Sequence, residues 1–284
     1  MALTINTNIS SVVAQRNLAK ATGSLNQAIE RMTTGYKINH AGDNAAGYSI
    51  ARNWETQLGS LDVAADNAAT GADMLSTLED HYSLITNHVQ RVRDLTEQAA
   101  NGTYGADSLA AIKSEITARL KEIDRIAANC EFNGKHLMNG DITADINLQV
   151  GLYSGTDSQI ALDASLFTNA SVATTMSAIG ADIDAVATAC SGASASAQLS
   201  KLDTVIKNIS TKVTTLGAAQ NRVDSAIESI AVQSENITSS LSTLRDADVA
   251  EESSRYIQAQ ILQQAAATLL STANQSPSIA LNLI

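Results

Sequence analysis

The chain has 284 residues, long enough to bury a substantial core, and carries 18 Lys plus Arg against 29 Asp plus Glu, a net charge of −11. That balance argues against nucleic acid or an anionic membrane surface as partner, because both need cationic side chains facing phosphate. Aromatic residues are only 3% and there is one proline, against 47 alanines, a composition suited to long, closely approaching helices rather than a thick aromatic core.

The first residues, Met1-Ala2-Leu3-Thr4-Ile5-Asn6-Thr7-Asn8, lack the basic and apolar regions of a secretory leader and taken alone read as cytoplasmic. No run of apolar residues is long enough to span a membrane. Leu18, Leu25, Ile29 and Met32 then fall on one face of an N-terminal helix. A longer helix follows, with Leu58, Leu61, Ala65, Ala68, Ala72 and Leu75 on one stripe and Met74, Leu78, Ile85, Val92, Leu95 and Ala99 on the next. Asn101-Gly102-Thr103-Tyr104-Gly105 is a breaker cluster that permits a chain reversal. Ala106-Asp107-Ser108 offers an N-cap before a third helix carrying Leu109, Ile112, Ile116, Ile123 and Ile126, with Arg119 the one polar entry.

Between 141 and 168 the period changes. Ile146, Leu148, Val150 and Leu152 alternate, Ser154-Gly155-Thr156-Asp157 punctuates, and Ile160 and Leu162 resume, so a β-hairpin is expected. Residues 169–198, rich in Ala, Ser and Thr, read as a weakly structured link. The clearest signal comes next. Alternate steps of three and four from Leu199 give Leu202, Ile206, Ile209, Val213, Leu216, Gln220, Val223, Ile227, Ile230, Ser234, Ile237, Leu241 and Leu244. Only Gln220 and Ser234 break the apolar seam, and a heptad repeat held so long needs facing helices. At 1.5 Å per residue such a helix runs to about 69 Å, which predicts a rod. The expected fold is therefore mainly α: a long antiparallel coiled-coil helical bundle rod with a small β-hairpin region.

Ile257, Ile261, Leu262, Ala265, Leu269 and Leu270 repeat the pattern near the C-terminus. The final Ser276-Pro277-Ser278-Ile279-Ala280-Leu281-Asn282-Leu283-Ile284 is apolar without a charge, which an assembly would bury. No nucleophile elbow, phosphate loop, zinc-protease helix or dinucleotide fingerprint is present, so no enzyme, cofactor or metal site is expected. Cys130 and Cys190 lie far apart without a CxxC, either as two thiols or as a disulfide. His81 and His88 fall two helical turns apart, about 10.5 Å, too far to share a metal ion. They read as helix-interface histidines, with a pH-sensitive subunit contact as the sharper alternative.

The order of short motifs carries a resemblance. Ile5-Asn6-Thr7-Asn8-Ile9-Ser10-Ser11, Ala14-Gln15-Arg16-Asn17-Leu18 and Arg31-Met32-Thr33-Thr34-Gly35-Tyr36-Lys37-Ile38-Asn39 resemble bacterial flagellin. So do Ala41-Gly42-Asp43-Asn44-Ala45-Ala46-Gly47, Gln90-Arg91-Val92-Arg93-Asp94-Leu95 and Glu131-Phe132-Asn133-Gly134-Lys135. In the second half, Leu216-Gly217-Ala218-Ala219-Gln220-Asn221-Arg222, Asp246-Ala247-Asp248-Val249-Ala250-Glu251-Glu252 and Gln260-Ile261-Leu262-Gln263-Gln264 are similar as well. The resemblance covers roughly residues 3–168 and 200–276. Asn44 departs from it, standing where the family commonly has an acidic residue.

The resemblance implies a structural subunit that polymerises into the extracellular flagellar filament, in a minimal form lacking most of the central outer domains. It implies a terminal coiled coil lining the inner tube, residues 1–43 plus 254–284, and an outer rod, residues 44–253, holding the hairpin region 141–168 and the link 169–198. Leu18, Leu25, Ile29, Ile257, Ile261 and Leu269 are the expected polymerisation interface. The implied partners are further copies of the chain, the flagellar type III export apparatus, a cytoplasmic export chaperone at the C-terminal segment, and junction and cap proteins, with no cleaved signal peptide and no membrane insertion. Toll-like receptor 5 is a further implied partner, with Arg91, Leu95 and Glu115 at the matching positions. A hook–filament junction protein is the nearest alternative and a cytoplasmic coiled-coil scaffold a more distant one.

Overall fold

The structure is a computed structural model that describes residues 7–167, 170 and 192–281, without the side chains of 192–197 and 276–281. Five helices are described: α1 (Ile9–Thr34), α2 (Ala45–Ala100), α3 (Ala106–Asn129), α4 (Gly192–Arg245) and α5 (Val249–Leu281). Four short strands lie between α3 and α4: β1 (Glu131–Phe132), β2 (Lys135–His136), β3 (Ile146–Gln149) and β4 (Gln159–Leu162). The chain divides into two compact units, residues 1–58 with 235–284 and residues 59–234.

Unit 59–234 has one continuous core. Leu75, Leu78, Ile85, Val92 and Leu95 of α2, Ile116, Leu120 and Ile123 of α3, and Leu202, Leu216 and Val223 of α4 meet in it, each at most 2% exposed. The heptad reading of α4 holds residue by residue. Leu202, Ile209, Leu216, Val223 and Ile230 are buried, and the alternate seam positions between them are half-buried. Gln220 does not weaken the seam, because its Nε2 donates to Glu79 Oε2 of α2 at 2.8 Å. A polar position in a heptad seam that finds one partner fixes register better than an apolar one can.

The reversal expected at 101–105 separates α2 from α3. The expected cap does not: α3 starts at Ala106 with Gly105 as N-cap and no capping side chain, so Ser108 lies inside the first turn. Asp107 in that turn faces the positive end of the helix dipole instead.

The hairpin expected in 141–168 is present, with Ile146 opposite Leu162 and Gln149 opposite Gln159. It is seated on α2 through a glycine. A Cβ on Gly71 would stand 2.4 Å from Leu148 Cδ1, so the Leu148 side chain fills the space that a side chain at 71 would need. Asn67 Nδ2 donates to the Gln149 carbonyl at 3.2 Å beside that contact. A second, smaller hairpin pairs β1 with β2 and was not anticipated. Its turn is Asn133-Gly134, with φ of 49° and 77°, the type I′ geometry that Asn-Gly favours. The backbone of Gly192–Ala197, placed in the link by composition, already belongs to α4, and the rest of 171–191, Cys190 included, lies outside the described residues.

In unit 1–58 with 235–284, α1 and α5 pair along their lengths. The direction is antiparallel. Asn8 Nδ2 donates to the Ala273 carbonyl at 2.8 Å, Gln263 Nε2 to Thr22 Oγ1 at 3.1 Å, and Arg31 Nη1 to Glu252 Oε1 at 3.2 Å. Asn8 also caps α1, its side chain accepting from the Ser11 N–H. Gly35 closes it in the left-handed region at φ 74°, donating to the Arg31 carbonyl.

Candidate functional site: the faces of the terminal helix pair and the α2–α3 ion cluster

Alanine fills the most buried apolar positions between α1 and α5. Ala14, Ala21 and Ala28, spaced by seven, are buried in α1, and Ala259 and Ala266, also spaced by seven, are buried in α5. A methyl at alternate seam positions lets two helices approach closely while burying little apolar area there. The large residues stand elsewhere. Ile29 is 44% exposed, Ile257 54%, Ile261 60% and Leu269 64%, while Leu18 and Leu25 are half-buried. Ile9, Val12, Val13, Met32 and Leu262 are exposed as well, so the pair presents an extended apolar surface. The side chains of Ser276–Leu281 and the whole of 282–284 lie outside what is described, so the apolar tail is not placed. Of the six residues named from sequence, Leu18 and Leu25 alternate with the buried alanines of α1, and Ile29, Ile257, Ile261 and Leu269 are exposed in the single chain. The alanine repeat was legible as a strict seven-residue spacing of the smallest side chain, which a search for Leu and Ile passes over.

A groove of about 610 Å³ runs along the pair, lined by Ala21, Ala28, Ala259, Ala266, Leu262 and Leu269 and ending at a charged cluster of Arg31, Glu252 and Arg255. Glu252 is 4% exposed and accepts from Arg31 and from Arg255, each at 3.2 Å. A buried carboxylate is tolerated only with such partners. Arg31 also lies 4.0 Å from Asp43. Asp43 folds the following loop: its Oδ2 accepts from the His40 and Asn39 N–H groups at 3.0 and 3.1 Å, and its Oδ1 from Gln27 at 3.0 Å. The His40 N–H bond chiefly, with Asn39, Gln27 and Arg31 adding, holds the Asp43 carboxyl below the ordinary range against the opposing effect of burial. Arg245 secures the other strand of this junction. It pairs with Glu55, stacks 4.2 Å from the Tyr36 ring centroid, and donates to the Ile38 carbonyl at 3.3 Å. Asn44, the departure noted above, accepts from the Gly47 N–H at 3.0 Å and so caps α2.

In the other unit, Arg91 Nε donates to Glu115 Oε1 at 3.1 Å, and Arg119 Nη2 approaches the same oxygen at 3.6 Å. Arg91 and Glu115 keep 43% and 37% of their side chains exposed. Leu95, the third position matched by the resemblance, is only 2% exposed and packs in the three-helix core rather than at the surface. Position i+4 shares a face with i, but here that face turns inward at Leu95. His88 Nδ1 lies 3.5 Å from Arg119 Nη1, and His81 Nδ1 donates to the Thr77 carbonyl at 2.8 Å, so each histidine has a local structural partner. Cys130 is a buried free thiol, and desolvation pushes its pKa up to about 11. Among the described residues no group of three metal-ligating side chains comes together, and no helix is long and apolar enough to cross a membrane.

Long paired terminal helices with large apolar side chains turned outward define a helical structural protein whose surfaces suit assembly. Comparison with known proteins says which. The bacterial flagellin N-terminal helical region matches residues 5–143 and the bacterial flagellin C-terminal helical region matches residues 199–284. Flagellin FlaB2 of Treponema pallidum is 32% identical over 285 residues, 99% of each chain. Polar flagellin F of Vibrio parahaemolyticus is 30% identical over an alignment of 377 positions covering both chains completely. A putative flagellar hook-associated protein of Vibrio parahaemolyticus, 15% identical, shares the fold with a TM-score of 0.61 over 72% of this chain and all of that one. The chain belongs to the bacterial flagellin family, in a short form without a central domain, and is a structural filament subunit rather than an enzyme.

Proposed function

We propose that this chain extends a helical flagellar filament without limit, through contacts between the outward apolar faces of α1 and α5 on successive copies. The observation that carries this is the inversion described above. Ile29, Ile257, Ile261 and Leu269 are 44–64% exposed on a helix pair whose most buried apolar positions are alanine, an apolar surface that water disfavours. Interfaces of this kind are heterologous, so each added subunit recreates the site for the next. Residues 1–43 with 254–284 then line the inner tube and residues 44–253 form the outer rod. Ordering the terminal segments opposes assembly entropically, so free subunits stay monomeric until seeded.

The same reading has the chain leaving the cytoplasm unfolded through the flagellar export apparatus, with a chaperone covering the C-terminal segment, and ending in an extracellular filament between junction and cap proteins. Toll-like receptor 5 recognition is a second reading, favoured by the half-exposed Arg91–Glu115 pair, while the buried Leu95 offers the receptor no surface in the folded chain. Soluble chain is expected to bind the receptor and to lose binding on Arg91→Ala; failure of either rejects it.

The deciding experiment is electron microscopy of purified chain added to short filament seeds, beside a version lacking residues 1–30 and 255–284. Long uniform tubes from the full chain alone support open-ended assembly through the termini. Short capped stubs indicate a junction protein. Soluble particles that ignore the seeds indicate a scaffold.

A further inference from the structure

Three Asn-Gly pairs occur in the described residues, Asn101-Gly102, Asn133-Gly134 and Asn139-Gly140, all within unit 59–234. An asparagine followed by glycine can attack itself, because no Cβ shields the following backbone nitrogen. The three are not equivalent here. Asn133 and Gly134 are locked in a type I′ turn, at φ 49° and 77°, between paired strands. Asn139 is held at both ends by Asp141: its Oδ1 accepts from the Asp141 N–H at 3.0 Å and its Nδ2 donates to Asp141 Oδ2 at 2.6 Å. That carboxylate retains the leaving amide and repels the negative charge that forms during attack. Gly140 is also fixed at φ 90°.

Asn101 shares exposure and open space with Asn133, and differs from both others in having neither a left-handed backbone nor a carboxylate on its amide nitrogen. It is exposed, just beyond the end of α2, in the turn before α3. Its Oδ1 accepts from the Thr103 N–H at 3.3 Å, the counterpart of the Asn139–Asp141 N–H contact, but no carboxylate holds its Nδ2, so the leaving amide is not retained. A Cβ built on Gly102 meets nothing within 4 Å, and its φ lies outside the left-handed region, so the nitrogen is approachable in open space.

We propose that Asn101 is a self-modification site. The Gly102 nitrogen attacks Asn101 Cγ, an N–Cγ bond forms, the Cγ–Nδ2 bond breaks, and the proton lost by the glycine nitrogen leaves with Nδ2 as ammonia. Water then opens the resulting five-membered imide. Cleavage at the Cγ side returns the main chain with aspartate, and cleavage at the backbone carbonyl routes the chain through the side chain as isoaspartate. Either product adds one negative charge beside the C-terminal end of α2, whose last turn holds no basic residue, where the helix dipole disfavours an anion. The turn between α2 and α3 thus loosens with the age of the molecule.

The full chain, folded and kept in buffer near pH 8, is sampled over days for peptide mapping by mass spectrometry, with isoaspartate read by enzymatic methylation. Conversion is expected at Asn101 at least about five times faster than at Asn133 or Asn139, and Gly102→Ala is expected to slow it about tenfold, since the new methyl shields the nitrogen without meeting a neighbour. In urea the three rates should converge, which assigns the difference to the fold. Faster conversion at Asn139 or Asn133, equal rates in the folded chain, or a Gly102→Ala rate unchanged from the parent would overturn the proposal.

Discussion

The alanine seam and the outward aliphatics predict opposite responses to two substitutions one helix apart. Ile261→Ala removes a side chain that is 60% exposed in the single chain, so the α1–α5 pair should be unaffected within about 0.5 kcal/mol. In the proposed assembly the same side chain is covered. Fully burying an isoleucine is worth about 1.5–3 kcal/mol, and 60% of that range leaves about 1–2 kcal/mol for assembly to claim, part of which an alanine methyl retains. A loss near 1.4 kcal/mol raises the critical concentration about tenfold. Ala21→Leu does the reverse. Ala21 is 7% exposed in the seam, and forcing a larger group between closely approaching helices costs about 1–3 kcal/mol through separation of the pair itself. Critical concentration is read by sedimentation of seeded reactions, and pairing by hydrogen exchange of α1 in assembled material. Should Ile261→Ala leave the critical concentration unchanged, or should Ala21→Leu leave exchange in α1 unchanged, the division of labour between seam and outer face is refuted.

The junction after α1 is expected to be acid-labile. Because the folded Asp43 pKa lies below its unfolded value, its stabilisation is present above the ordinary carboxylate range and is lost as pH falls through the depressed folded value. Asp43→Asn should therefore speed exchange of the Asn39 and His40 N–H groups at neutral pH, and the variant should lose the acid transition of the parent. Gly71→Val should destabilise the β3–β4 hairpin by about 1–3 kcal/mol, because its side chain starts inside the space of Leu148; urea unfolding of unit 59–234 checks this. Leu120→Ala, at 2% exposure in the same core, should lower stability by about 2–5 kcal/mol in the same assay. The Cys130 thiol, with its pKa near 11 and its side chain buried, should resist a thiol reagent at pH 8 until denaturant opens the core, and rapid labelling of folded chain would contradict that burial.

Much of the architecture could be read before any coordinates. The α4 seam from Leu199 to Leu244, the reversal after Asn101 and the hairpin around Ile146 and Ile160 each follow from a period or a breaker written locally in the chain. Where the reading stopped short, the deciding term was relative rather than local. Leu95 shares a helical face with Arg91, and only the position of α3 and α4 turns that face inward. The buried alanines of the terminal helices went unread for a different reason. Leucine and isoleucine identify apolar stripes, but which stripe meets the partner within one chain depends on how closely two backbones approach, and here the alanines decide it. The β1–β2 hairpin was carried by Asn133-Gly134, a strong turn signal flanked by strands too short to show alternation. Charge networks such as Arg31–Glu252 join residues distant in sequence and leave no mark on periodicity.

The alanine seam also bears on where the stability of the terminal helices resides. Five buried methyl groups, at about 0.8 kcal/mol each, offer about 4 kcal/mol between α1 and α5, and the half-buried Leu18, Leu25 and Leu270 add only part of their area, little to hold two helices of 26 and 33 residues in order. In the proposed filament the remainder comes from other molecules, and a stability supplied by binding follows mass action. Protease resistance of these segments should therefore track the concentration of assembled neighbours rather than the sequence of the isolated chain. A terminal subunit, with one set of neighbours missing, should be the least protected. The free end of such a polymer would be chemically distinct from its shaft, although every chain in it is the same.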